Sequence, residues 1–170
     1  MKKLIKTDRN IPWLAKPGEG RLYITDELPA SETWGTAFGF AFEEDKILLT
    51  RLWDRDWDIP GGVIDSGETP EQAAVREVWE ETYAHVEIVE LIGIQEIELF
   101  GPKPGRYRWA YPLNTQCYFL CRLVELAPFQ ENVESFERGF LSPAEARCLP
   151  TMRNHDGIYE EALRRAPSKP

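Results

Sequence analysis

The sequence predicts an α+β fold, an α/β/α sandwich in which a mixed β-sheet is flanked by helices. Three observations predict it. Several runs alternate with the two-residue period of strands, as in "TAFGFAF" (36–42). Two others, Pro70–Thr82 and Asn154–Ala166, repeat at the three- and four-residue spacing of helices. A chain of 170 residues suits one domain with a core of useful size, here taken as residues 1–170.

Residues 1–20 read as an N-terminal extension, and "RLYITDEL" (Arg21–Leu28) as the first strand. "GTAFGFAFEEDKILLTRLW" then reads as a hairpin turning at Glu43–Asp45. "WDIPGG" (Trp57–Gly62) is expected to end a strand, because Pro60 and two glycines oppose its continuation. A helix begins at Thr69-Pro70, with proline at an allowed first-turn position, Glu71 at the positive end, and an end near Thr82. Strands His85–Phe100 and Asn114–Val124 follow, separated by a long loop. "FLSPAEARCL" predicts a strand end and a short helix. A closing helix, within 150–166, is amphipathic through Ile158, Tyr159, Ala162 and Leu163.

With 42% apolar and 29% charged residues, the composition is that of an ordinary soluble globular protein. Lysines open the chain, but no long apolar run follows them and none approaches a membrane span, which predicts a cytoplasmic location. Cys117, Cys121 and Cys148 are too few and too oddly spaced for a disulfide framework or a zinc site, and Cys117 and Cys121, which share a face if their run is a strand, are expected to be buried free thiols. The net charge of −9 repels long nucleic-acid backbones and anionic membranes. A phosphate-ester partner would need its charge cancelled locally, and a divalent cation is the obvious agent.

The stretch "GGVIDSGETPEQAAVREVWEETYAHV" (Gly61–Val86) concentrates carboxylates. Ala73, Arg76, Glu77, Glu80 and Glu81 share one helix face, leaving Val75, Val78, Trp79 and Thr82 to pack on a sheet. A plain soluble face usually mixes signs. Like charges at these spacings cost an exposed helix a few tenths of a kcal/mol per pair. Oxygen-rich clusters of this kind suit magnesium or manganese, and a glycine turn lets backbone carbonyls come close.

Gly62, Glu68 and "REVWEE" (Arg76–Glu81) fall at the spacing G-x5-E-x7-R-E-U-x-E-E, where U is aliphatic. This resembles the Nudix hydrolase box. "ILLTR", "DRDWDI" and "PGG" upstream, and "ERGFLSPAEA" downstream, are similar to the family's surroundings, and the likeness spans roughly residues 36–165. The resemblance implies magnesium-dependent hydrolysis of a nucleoside diphosphate linked to another group, a small nucleotide or nucleotide derivative. It implies that Glu77, Glu80, Glu81 and the Gly61 carbonyl hold the ions, with manganese as a substitute and Glu68–Arg76 as a supporting ion pair. It also implies a further carboxylate from the loop around Glu131 and Glu134, with Glu134 preferred as the catalytic group. A catalytically silent nucleotide-sensing domain is the alternative, but such a domain would be expected to lose box glutamates, all of which are present. An isopentenyl diphosphate isomerase finds no supporting cysteine pattern. A proline rule of some ADP-ribose hydrolases is met only by Pro102 and Pro104, slightly late.

One position departs from the family. Tyr83 stands where a glycine would end the helix left-handed, a conformation costing a non-glycine residue about 1 kcal/mol. A different helix exit is expected, with the ring covering the site. Substrate contacts are expected from Arg51 and from "PGRYRWAYPLN" (Pro104–Asn114), where Arg106 meets phosphates and Trp109 stacks a base. The alternative for that loop is packing on the core or on a second subunit in a homodimer. "WDRDWD" lacks the glycine and final glutamate of a calcium loop and reads as an acidic solvated segment.

Overall fold

The computed structural model describes residues 1–12 and 14–166, apart from the side chain of Asp156. Its strands are β1 (Lys3–Asp8), β2 (Gly18–Ile24), β3 (Trp34–Glu43), β4 (Lys46–Leu52), β5 (Trp57–Asp58), β6 (Gly61–Val63), β7 (Ala84–Leu99), β8 (Leu113–Leu126) and β9 (Ser135–Leu141). Its helices are α1 (Pro70–Thr82), α2 (Pro143–Ala146), α3 (Pro150–Asn154) and α4 (Asp156–Arg165). The strand path runs β1-β2-β7-β8-β3-β4-β5, with β6 added to β3 and β9 to β4. The β3–β8 pair is parallel and the others are antiparallel, so the sheet is mixed.

Alternation along β8 explains the three layers. Cys117, Phe119 and Cys121 join the core beneath α1, while Tyr118 and Leu120 join the core covered by α4. Successive strand side chains point to opposite faces, so one strand feeds both cores. β3 does the same, giving Ala37 and Ala41 to the α1 side and Phe40 to the other. The small residues matter for placement. Ala73, Ala74, Ala37 and Ala41 leave room for α1 to lie close, and a Cβ on Gly39 would stand 2.5 Å from Val78 Cγ2. Ile158, Tyr159 and Ala162 of α4 are buried as their spacing predicts.

Four expectations need correction. Residues 1–20 are no appendage: β1 pairs with β2, β2 begins at Gly18, and Ile11 and Leu14 pack on Ile97 and Leu99. The β3–β4 hairpin is paired only at its tip, Phe42–Ile47 and Glu43–Lys46. Beyond it the strands diverge, β3 to β8 and β6, and β4 to β9 and β5. A strand does end before Pro60, at Asp58, but the two glycines then open a further strand that was not expected, β6, against Phe38, Ala37 and Thr36. The closing helix is divided in two, α3 and α4, around His155.

Candidate active site

α1 starts where its sequence directs. Thr69 and Gln72 form a reciprocal capping box, with Pro70 in the first turn. Its buried stripe is centred differently from the expected one, over Ala73, Ala74, Glu77, Val78, Glu81 and Thr82, while Val75 and Trp79 are only partly covered. Two carboxylates therefore enter the protein. Glu77 and Glu81 are one turn apart and 7% and 4% exposed, whereas Glu80 is rotated about 60° from Glu77 and exposed.

The helix end is bound to the β4–β9 layer. The Glu80 carbonyl accepts from Asn132 Nδ2 at 2.9 Å, and the Glu81 carbonyl from Ser135 Oγ at 2.9 Å and Thr50 Oγ1 at 3.3 Å. Arg138 Nη1 donates to the Thr82 carbonyl at 2.6 Å. These are the carbonyls that a helix C-terminus leaves unsatisfied, and Arg138 supplies a positive charge that the last turn lacks. Tyr83 then exits in the left-handed conformation, φ 54° and ψ 32°, donating to the Trp79 carbonyl at 2.8 Å. The expected alternative exit is not taken. The ring lies away from the carboxylates, against Trp79 and Phe129.

Asn132 also fixes the loop before β9. Its Oδ1 accepts from the Glu134 and Ser135 amides, both at 2.9 Å, so one side chain ties this loop to α1. Carboxylate oxygens of Glu77, Glu81 and Glu134 consequently lie within 4.8 Å of one another. Gly62 faces them, and a Cβ there would stand 2.5 Å from the Glu77 carboxyl group. Gly61 donates its amide to Glu81 Oε2 at 3.2 Å.

Arg76 is the hub beside this group. It meets Glu68 through two bonds, Nε to Oε1 at 2.7 Å and Nη2 to Oε2 at 2.9 Å. It also donates to the Val63 carbonyl at 2.9 Å, Glu77 at 2.8 Å and Glu80 at 3.1 Å. The guanidinium holds the Glu68 carboxyl down at about 2. Burial does the opposite to Glu81, raising it to about 8, and to Glu77, which is raised despite Arg76.

A cavity of about 480 Å³ opens over this group, lined by Gly61, Gly62, Glu77, Glu81, Glu134, Trp53, Arg55 and Val133 among others. The expected substrate contacts are not on it. Arg51 is held by Asp56 at 2.7 Å and Glu137 at 3.1 Å, between the rings of Trp57 and Phe136. Arg106 is exposed, and Trp109 packs beside Tyr107, whose own ring joins the Ile11–Leu14 cluster. Tyr107 of that loop therefore packs on the far core, because the β1–β2 connection and the end of β7 give it an apolar bed. Glu131 is exposed and outside the cavity lining. Asn132, Arg138, Trp53 and Arg55 escaped sequence reasoning. Arg138 carried a signal, a cation within "FERGF", but the helix end that it serves, at Thr82, is 56 residues away in sequence.

The model of the NUDIX domain family matches residues 34–162. The chain belongs to the Nudix family. A MutT-like protein of Streptomyces ambofaciens is 47% identical over 53 residues, 31% of this chain and 34% of that protein. The RNA pyrophosphohydrolase of Psychrobacter cryohalolentis is 40% identical over 84 residues, 46% of this chain and 49% of that protein. The chain thus spans about half or less of the length of these curated relatives. Among solved structures, a Bacillus subtilis pyrophosphohydrolase superposes with a TM-score of 0.65 at 20% identity, over 85% of this chain and 90% of that one. An ADP-ribose pyrophosphatase from Streptococcus suis gives 0.55 at 26% identity, over 79% and 92%. These likenesses match the Nudix fold described above. Among the described residues, no helix is long and apolar enough to cross a membrane.

Proposed function

We propose that this Nudix domain hydrolyses a phosphoric anhydride, cleaving a nucleoside diphosphate linked to another group with the aid of a divalent cation. The observation that carries this reading is the meeting of Glu134, from one element, with Glu77 and Glu81 from another. Three carboxylates so close, two of them buried, repel one another and are poorly solvated, and an all-oxygen donor set of this kind fits magnesium, or manganese in its place. Glu77, Glu81 and the Gly61 carbonyl would hold the ion. Bound there, it would cancel phosphate charge and acidify a water molecule.

The protein's own groups have separate tasks. Arg76, fixed by Glu68, orients the Glu77 carboxylate and keeps α1 in register with β6 through the Val63 carbonyl. Glu80 shares Arg76 from the exposed side, outside the group formed by Glu77, Glu81 and Glu134. Glu134 is on a loop, exposed and lining the cavity, the place for a group that accepts the proton of attacking water.

A panel of nucleoside triphosphates, oxidised ones, nucleotide sugars, dinucleoside polyphosphates, coenzyme A and RNA with a 5′-triphosphate end tests the reading. The RNA end belongs on the panel because relatives carry the name RNA pyrophosphohydrolase. The expected product is a nucleoside monophosphate, with orthophosphate appearing only after added phosphatase or pyrophosphatase. Glu134→Gln is expected to lose roughly 10²–10⁴ in turnover across pH, while Glu131→Gln keeps it. Direct orthophosphate release from a triphosphate would assign another reaction, and binding without turnover of any compound would make the domain a sensor.

A further inference from the structure

We propose that Trp53 is the platform on which the base of the substrate stacks. The inference rests on the reading of the substrate as a nucleotide and adds the part of the site that recognises its non-phosphate end. Trp53 is 59% exposed, which is unusual for the largest side chain, yet it is not loosely held. Its indole Nε1–H donates to the Asn132 carbonyl at 3.0 Å, and its amide to the Glu134 carbonyl at 3.1 Å. Its ring rests on Phe136 with centroids 4.5 Å apart. One face and the edge are thus immobilised and the rest is left open.

What the open part borders is the cavity above Glu77, Glu81 and Glu134. Val133, 95% exposed, lines the same cavity, so two apolar groups stand at the rim of a carboxylate-floored site. Arg55 lines the same cavity, with its exposed guanidinium paired to Asp54 at 3.1 Å and Asp58 at 3.8 Å. The floor provides for phosphate and cation, but an aromatic surface and an isopropyl group do nothing for either. They suit a flat π-system attached to the phosphates, which is a nucleobase. An indole held in advance loses little conformational freedom on stacking, and stacking tolerates any base because each has a π-face.

Equilibrium binding tests the platform independently of turnover. Titration calorimetry with magnesium compares α,β-methylene analogues of adenosine and guanosine triphosphate with base-free imidodiphosphate. The wild type should bind the base-bearing analogues more tightly, and Trp53→Ala should weaken them about 5- to 150-fold, the span of aromatic–base stacking, while leaving imidodiphosphate unchanged. Trp53→Phe keeps a ring over Phe136 without the Nε1–H bond and should keep most of the preference. Equal affinity of the wild type for both ligand kinds, or no binding of either, overturns the proposal. So does an equal loss for both in Trp53→Ala, which would make Trp53 a mere prop for the Asn132–Glu134 loop. A base preference without hydrolysis would count against the proposed reaction alone, and hydrolysis without a base preference against the platform alone.

Discussion

At Tyr83 a side chain and a backbone disagree. The helix exit demands a left-handed residue, which costs L-residues about 1–2 kcal/mol, yet the ring packs on Trp79 and Phe129. Aromatic pairs of this kind are worth about 0.5–1.5 kcal/mol, so Tyr83→Gly alone mixes two opposed effects. Comparing Tyr83→Gly with Tyr83→Ala separates them, since both lose the ring. Denaturant unfolding should find the glycine variant more stable by about 1 kcal/mol. Equal stability would place the exit at another residue. Glu81 offers a second test. Its carboxyl group stands at about 8 folded and near 4.5 unfolded, so between those pH values the native protein holds a proton that the unfolded chain has released. Its stabilising contribution is therefore full below about 4.5 and is lost as pH rises through 8. Glu81→Gln, neutral throughout and still able to accept from Gly61, should flatten the fall in cation-free stability over that window. An unchanged slope in a pH series of unfolding curves would mean that Glu81 is ionised without cost.

Among elements, the loop before β9 decides the geometry. Asn132 connects the Glu80 carbonyl with the Glu134 and Ser135 amides. Asn132→Ala should lower magnesium affinity or turnover roughly 10- to 100-fold, the usual effect of losing a group that orients ligands. Hydrogen exchange should show the Glu134 and Ser135 amides losing protection; if both amides and affinity are unaffected, the loop is positioned from elsewhere. This element also marks the limit of what could be read from the sequence. The period of α1 and the alternation of β8 are local properties, and they lead directly to the two cores and to Glu77 and Glu81 on one face. β6 was hidden because its two glycines serve close approach, to Phe38 and to the Glu77 carboxyl group, rather than a turn. β1 was hidden because "KLIKTD" is a largely polar edge strand, at most partly buried, that pairs with residues 12–21 positions further along the chain. Glu134 was approachable from its place before a strand-to-helix turn. Trp53 and Arg106–Trp109 have equally suggestive local chemistry, and only long-range contacts separate them: Asn132, Glu134 and Phe136 hold Trp53 at the cavity, while the Ile11–Leu14 cluster takes Tyr107 away from it.

For the whole molecule, the acidic site and the net charge of −9 make folding and cation binding one problem. Burying Glu77 and Glu81 beside Glu134 disfavours the cation-free native state, and Arg76 compensates mainly at Glu77 and Glu68. A cation bound only by the native state stabilises it by mass action, about 2.7 kcal/mol at a hundredfold excess over Kd. For a chain of this size each kcal/mol moves Tm by about 2–4 °C, so magnesium should raise the wild-type Tm by roughly 5–11 °C. Glu81→Gln should respond in the opposite order. In chelator near pH 8 it should melt above the wild type, because a buried charge has been removed while the Gly61 bond is kept. In saturating magnesium its Tm should hardly rise, and the wild type should overtake it or close the gap. Thermal unfolding of both proteins in chelator and in magnesium, at one pH, reads all four values. An equal rise in the two would show that the ion binds away from Glu81, and the assignment of the site would fail with it. A crossover would show that the carboxylates which strain the empty fold are those that hold the ion.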